Sequence, residues 1–285
     1  MKVSEFYRPK TVEEALALLS REKNAKLIAG GTDLVIALKE RRIKPEVLID
    51  VTGIDEIREI KEEGNTLFLG AAATFTEIQS SELVKKYCPS LCEAASRMGA
   101  TQVRNLATLG GNVANAATAA DGLPPLLSIG AIAVVCNTKG SRYVPVEDVV
   151  TGVNQNSLAE DEMIIGFQLP AKPGAAKVFE KIGRRKALAI ARINIALCAN
   201  MDGSKVDSIA IAVGAVGKTA YRVKEVEDLL AGKELTQQVI ADAAVLMDEV
   251  VARNLAGRST TPYKRKIASA VLKRGLERIA GGEGV

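Results

Sequence analysis

Apolar positions recur along the chain with helical spacing in some stretches and in short extended runs in others. In residues 11–21, Val12, Ala15, Leu16 and Leu19 fall on one face, Thr11 stands where an N-cap belongs, and Glu13 and Glu14 suit the positive end of a helix. A short apolar run, Lys26-Leu27-Ile28-Ala29, follows and stops at Gly30-Gly31. Leu34, Val35, Ala37 and Leu38 then predict a second short helix, so the order is helix, strand, glycine loop, helix. Strands are predicted over 47–51, after Pro45, and over 66–71. Thr74, with Glu77 three residues on, predicts a capped helix over 74–80, and 91–98 reads as helical. Residues 105–120 are almost all small or polar and keep neither period. An apolar run ends at Ile129, 132–136 predicts a strand, Lys139-Gly140 a turn, and 163–169 a strand stopped by Pro170.

Ala171-Lys172-Pro173-Gly174 is the clearest domain boundary, giving expected domains of 1–172 and 173–285. Beyond it the pattern changes. Strands are predicted over 177–182, 189–199 and 206–216, with Asp202-Gly203 as a hairpin turn. Three helices follow, over 223–230, 235–251 and 263–279. Strands followed by helices argue an α+β fold, with helices on one sheet face. The basic residues of the last helix read as a solvated face in preference to a partner surface, and the tail Gly281-Gly282-Glu283-Gly284-Val285 is expected to fray.

Composition narrows the function. The 285 residues suit about two domains. Lys plus Arg is 38 and Asp plus Glu 34, a formal charge of +4, too small and too evenly spread to argue for nucleic acid. There is no histidine, which excludes a Ser-His-Asp triad, a histidine general base and a histidine-ligated metal. There is no tryptophan, and aromatic residues are 4%, which weakens any base-stacking surface. Cys88, Cys92, Cys136 and Cys198 form no C-x-x-C pair, so buried free thiols are expected in preference to a zinc or iron-sulfur site. Residues 1–10 carry Lys2, Glu5, Arg8 and Lys10 and no apolar signal segment. The longest uncharged stretch, 122–138, contains Pro124 and Pro125 and is short of a membrane span. A cytoplasmic, soluble protein is expected.

Two loops carry the candidate chemistry. In Leu27-Ile28-Ala29-Gly30-Gly31-Thr32-Asp33-Leu34, a strand stops, two glycines turn the backbone, and a helix begins. Successive amides there can form a nest for an anion such as a pyrophosphate, and Thr32 adds a hydroxyl. A tight structural turn accounts for the same residues, and neither G-x-G-x-x-G nor a P-loop is present. In Thr108-Leu109-Gly110-Gly111-Asn112, with Asp121 nine residues on, small side chains let a large group approach the backbone. A tightly packed connector is the plainer alternative, but so long a small-residue loop favours a functional role.

Together the two loops and Asp121 resemble the FAD-binding medium subunit of molybdenum hydroxylases, the family of xanthine dehydrogenase and carbon monoxide dehydrogenase. The resemblance covers nearly the whole chain, including Gly214-Ala215-Val216 with Arg222, and Tyr263-Lys264-Arg265 at the start of the last helix. It implies a two-part FAD-binding domain of the vanillyl-alcohol-oxidase/PCMH type, followed by a C-terminal flavoprotein domain of sheet and helices. It implies that residues 27–34 bind the FAD pyrophosphate and that residues 108–112 line its other side. It matches Asp121 to a cofactor-contacting acid, Ile164 to an apolar residue of the adenine and flavin pocket, and Lys181 to a lysine near the flavin. Met98 stands where some relatives place an aromatic near the flavin, and Thr118 where many have proline. On the residues alone, Lys181 is equally a solvated lysine on an edge strand.

No side chain of such a chain is implied as an acid or base on the substrate. The resemblance implies electron transfer from [2Fe-2S] clusters on a small partner subunit, through FAD, to NAD or another acceptor. A large partner subunit would carry the molybdenum cofactor and select the substrate: a purine or other N-heterocycle, an aldehyde, or carbon monoxide. A stand-alone FAD-dependent oxidoreductase of the same FAD fold is the alternative enzyme. A non-enzymatic module with purely structural glycine loops is the third reading.

Overall fold

The computed structural model describes residues 3–185 and 189–284. Met1, Lys2 and Val285, which figure in the readings of the two termini, lie outside the described residues. The first layer comprises β1 (Glu5–Tyr7), α1 (Val12–Arg21), β2 (Ala25–Ile28), α2 (Leu34–Lys39) and β3 (Val47–Asp50). Thr11 caps α1 by accepting the amide of Glu14 at 3.2 Å, and the helix buries Ala15, Leu16 and Leu19. β3 lies between β1 and β2, parallel to both, and all four of its residues are buried. That burial is why Val47-Leu48-Ile49 reads as a continuous apolar run rather than an alternating one.

The second layer is a five-stranded antiparallel sheet and a group of short helices. It runs β4 (Ile60–Glu63), β5 (Thr66–Gly70), α3 (Phe75–Ser80), α4 (Glu82–Tyr87), α5 (Pro89–Ser96), α6 (Thr101–Arg104), α7 (Leu109–Asn115) and α8 (Leu123–Ser128). It continues with β6 (Ile132–Asn137), β7 (Gly140–Pro145), α9 (Val146–Val149), β8 (Val150–Gly152), β9 (Gln155–Asn156) and β10 (Met163–Pro170). The sheet order is β4-β5-β10-β6-β7, so the strand that closes this half lies at the centre. Thr74 and Glu77 form the capping box of α3. The aperiodic stretch 105–120 holds α7, whose seven residues are too few for a readable period.

The third layer is β11 (Ala176–Gly183), β12 (Ala191–Asp202), β13 (Lys205–Gly214) and β14 (Tyr221–Arg222), then α10 (Lys224–Leu230), α11 (Gln237–Asn254) and α12 (Thr261–Ala280). The strands form one antiparallel sheet in chain order, and the helices bury its apolar face. α5 packs on β11, and α8 packs on β12 and β13. Phe179, Ala94 and Ala196 form the small apolar cluster at that seam. Full burial of a phenylalanine such as Phe179 is worth about 2–3 kcal/mol.

The C-terminal tail and the last helix both depart from expectation. The tail does not fray as far as Gly284, whose carbonyl accepts the Lys177 amide at 2.8 Å while Glu283 pairs with Arg278. The basic face of α12 is not merely solvated. Arg278, 17% exposed, pairs with Glu93 at 2.5 Å and with Glu180 at 3.0 Å, while Arg274 also reaches Glu180. Arg265 and Lys266 face Asp248 of α11. Charges that look free along one helix find carboxylates on distant segments.

Candidate flavin site

The first glycine loop leaves β2 at Ile28. Gly31 takes a left-handed φ of +68° and its carbonyl accepts the Val35 amide at 3.0 Å, which opens α2. A Cβ on Gly30 would lie 1.8 Å from the carbonyl oxygen of Leu106. The bare Cα is therefore what lets this loop meet the approach to the second one. The amides of Gly30, Gly31, Thr32 and Asp33 donate to no protein acceptor among the described residues. Asp33 stands at the N-cap position of α2 without a side-chain cap bond.

The second loop is stapled to residues 71–75. The amides of Leu109 and Gly110 donate to the carbonyls of Ala73 and Ala71 at 3.0 and 2.8 Å, and Phe75 donates to Ala107 at 3.0 Å. Thr108 caps α7 by accepting the Gly111 amide at 3.1 Å. Gly110 is bare for Ala71, since a Cβ there would come within 2.7 Å of the alanine Cβ. Gly111 would meet only the Thr108 hydroxyl, at 2.9 Å. The open approach in this loop is therefore at Gly111.

A cavity of about 320 Å³ lies where the loops meet. Ile28, Ala29 and Gly30 line it on one side, and Leu106 and Thr108 on the other. Sequence reasoning missed the rest of the wall: Phe6 and Ala72, and the polar Asp50, Thr52, Arg58, Thr74 and Asn105. The polar residues are locally paired. Asp50 accepts from the Thr52 amide and hydroxyl at 2.9 and 2.6 Å and meets Arg8 at 3.0 Å. Arg58 donates to Glu77 at 2.6 Å, and Glu77 caps Thr74. Asp50 had one signal, an acid ending an apolar strand; Thr74 was legible only as a cap.

The other predicted residues stand outside the cavity wall. Leu109 is in the core, and Ile164 is buried in β10 just before a bulge. Met98 is buried, and its carbonyl accepts from Arg104 at 3.1 Å. Asn112 Oδ1 accepts the Gly122 amide at 3.1 Å, tying the second loop to Asp121. Asp121 and Lys181 form an ion pair of 2.5 Å with both side chains 6% exposed. Lys181 does lie on an edge strand, but its side chain is turned inward. Burial pushes the Asp121 carboxyl up, against the pull of Lys181 and of a hydrogen bond from Asn194. Burial likewise pushes the Cys88 thiol up to about 11 and the Cys92 thiol up to about 12, so neither is poised as a nucleophile.

Four adjacent free amides at 30–33, the first of them at the cavity wall, fit the pyrophosphate of a dinucleotide. The fold and site thus define a two-part dinucleotide-binding protein. Residues 2–172 match the FAD-binding domain in molybdopterin dehydrogenase, and residues 177–279 match the CO dehydrogenase flavoprotein C-terminal domain. The chain belongs to this family: it is the FAD subunit of a molybdenum hydroxylase, an oxidoreductase. It is 36% identical to the carbon monoxide dehydrogenase medium chain of Hydrogenophaga pseudoflava, over 95% of each chain. It is 33% identical to the nicotinate dehydrogenase FAD-subunit of Eubacterium barkeri, over 96% of this chain and 95% of that one. The solved Hydrogenophaga pseudoflava carbon monoxide dehydrogenase lacking the Mo-pyranopterin moiety superposes with a TM-score of 0.89 at 32% identity, over 96% of each chain.

Proposed function

We propose that this chain holds FAD between the 27–34 loop and the start of α7 and transfers electrons from [2Fe-2S] clusters of a small partner subunit to NAD or another acceptor. The assembly would be a cytoplasmic heterotrimer whose large subunit carries the molybdenum cofactor and selects the substrate. The observation that carries this reading is the run of free amides at 30–33 beginning at a cavity that Thr108 closes from the other side.

FAD suits the junction because it accepts electrons singly and releases them as a pair. Each candidate site residue would then have a binding or electrostatic task. The amides of Gly30, Gly31, Thr32 and Asp33 would hold the pyrophosphate, with Thr32 adding its hydroxyl. Leu27, Ile28, Ala29 and Leu34 would shape that loop. Thr108, Leu109, Gly110, Gly111 and Asn112 would bring the opposite wall close. Asp121 would contact the cofactor, Ile164 and Met98 would give apolar surroundings, and Lys181 would supply positive charge that raises affinity for electrons. The units doing this would be the domains 1–172 and 173–285.

A purine or other N-heterocycle is the substrate class we favour, on the nicotinate dehydrogenase likeness; the carbon monoxide dehydrogenase likeness supports the competing one. The test is anaerobic addition of nicotinate, xanthine, an aldehyde or carbon monoxide to the complex purified through a tag on this chain. Bleaching of the flavin band, requiring both partner subunits, is the expected result. Turnover of a substrate by the isolated chain would overturn the electron-transfer role.

A further inference from the structure

Asn194 stands on β12, paired across the sheet with Lys181 of β11 and with Gly214 of β13. Its side chain is fully buried. The amide nitrogen donates to Asp121 Oδ1 at 2.8 Å and to the Ala120 carbonyl at 3.2 Å. Both are acceptors, which sets the amide's orientation: flipped, its oxygen would press against two other oxygens. Lys181 Nζ takes the second carboxylate oxygen at 2.5 Å and also donates to the Arg97 carbonyl at 3.0 Å. Asp121 is therefore held at both oxygens, by a cation from β11 and a neutral amide from β12. On its own segment it is followed by Gly122, Leu123 and Pro124, none of them charged. Asn194 Oδ1 has no partner among the described residues and would lie 2.2 Å from a Cβ on Gly214.

We infer that Asn194 is a positioning residue of the cofactor site: it sets the orientation and charge of Asp121 and, through Asp121, the place of the Lys181 ammonium. The inference rests on the proposed contact of FAD with Asp121 and Lys181. Its physical basis is the cost of a buried carboxylate. Burial favours the neutral acid, and each hydrogen bond to the charged form opposes it. Without the Asn194 donor, Asp121 takes up a proton at higher pH and loosens its hold on Lys181. Gly214 belongs to the same device, because any side chain there would drive the amide off the carboxylate.

The test uses the full chain loaded with FAD. Retained FAD is read by absorption after buffer exchange, from mildly acidic to mildly alkaline pH, with thermal unfolding recorded alongside. The proteins are wild type, Asn194→Leu, Asn194→Ser, Asp121→Asn and the double variant Asp121→Asn/Asn194→Leu. In Asn194→Leu the midpoint for FAD loss on acidification is expected to move up by about one to two pH units, the equivalent of one hydrogen bond to a charged group. Asn194→Ser, whose shorter side chain falls short of Asp121, is expected to shift the same way and carries the test if the leucine variant fails to fold. No shift is expected between the two proteins that lack the Asp121 carboxylate. Wild-type midpoints in the Asn194 variants, or an equal shift without the carboxylate, overturn the inference while the FAD reading stands. A wild-type chain that takes up no FAD at any pH overturns both.

Discussion

A methyl group on Gly30 would sit 1.8 Å from the Leu106 carbonyl oxygen, inside any van der Waals contact. Gly30→Ala is therefore expected to part the two loops, costing about 2 kcal/mol in overpacking and weakening FAD binding at least about tenfold. Fluorescence titration with FAD and urea unfolding check both. Lys181 gives the second residue-scale prediction. Lys181→Met leaves Asp121 buried without its cation and is expected to cost about 3–5 kcal/mol. Asp121→Asn in the same chain should recover part of that loss, and a flavin reduction potential unchanged in Lys181→Met would sink the electrostatic role. The caps at Thr11 and Thr74 were legible in the sequence because donor and acceptor lie three residues apart. The partner of Lys181 was not, because Asp121 lies sixty residues away and on another layer.

At the scale of elements, α3 ties cavity wall to stability. Burial pulls the Glu77 carboxyl up, but hydrogen bonds from the Thr74 amide and from Arg58 outweigh it and hold it below the ordinary carboxylate range. As pH falls, the unfolded chain therefore takes up this proton first. The stabilisation is complete above the ordinary carboxylate value and is lost on acidification through the lower value of the fold. Glu77→Gln is expected to cost about 1 kcal/mol at neutral pH and to flatten the acid side of the stability profile, read by denaturation at several pH values. α12 gives the complementary test. Arg278→Ala removes bonds to Glu93, Glu180 and the Phe179 carbonyl and should destabilise by about 2–3 kcal/mol. Faster hydrogen exchange at the Lys177 amide, which Gly284 covers, would report release of the tail. The long amphipathic helices and central strands were legible from period alone. The short strands β1 and β4 and the helix α7 were not, since three to seven residues do not define a period.

For the whole molecule, the glycine loops were the strongest signal, because their small residues recur at a separation no helix or strand period explains. What the sequence left hidden is how each glycine is used. Gly30 clears the Leu106 backbone and Gly110 clears Ala71, whereas the proposed site draws on the run of unpaired amides at 30–33. The seam between the first two layers and the third was equally hidden, since its apolar cluster and its Glu93–Arg278 and Asp121–Lys181 pairs join residues far apart in the chain. The most direct test of the account is the visible absorption spectrum of the purified chain, with acid release of any chromophore and its identification. A flavin spectrum, release of FAD at one per chain, and weaker retention of that colour in Gly30→Ala are expected. A colourless chain that also fails to take up added FAD, alone and with its co-purified partners, would contradict it.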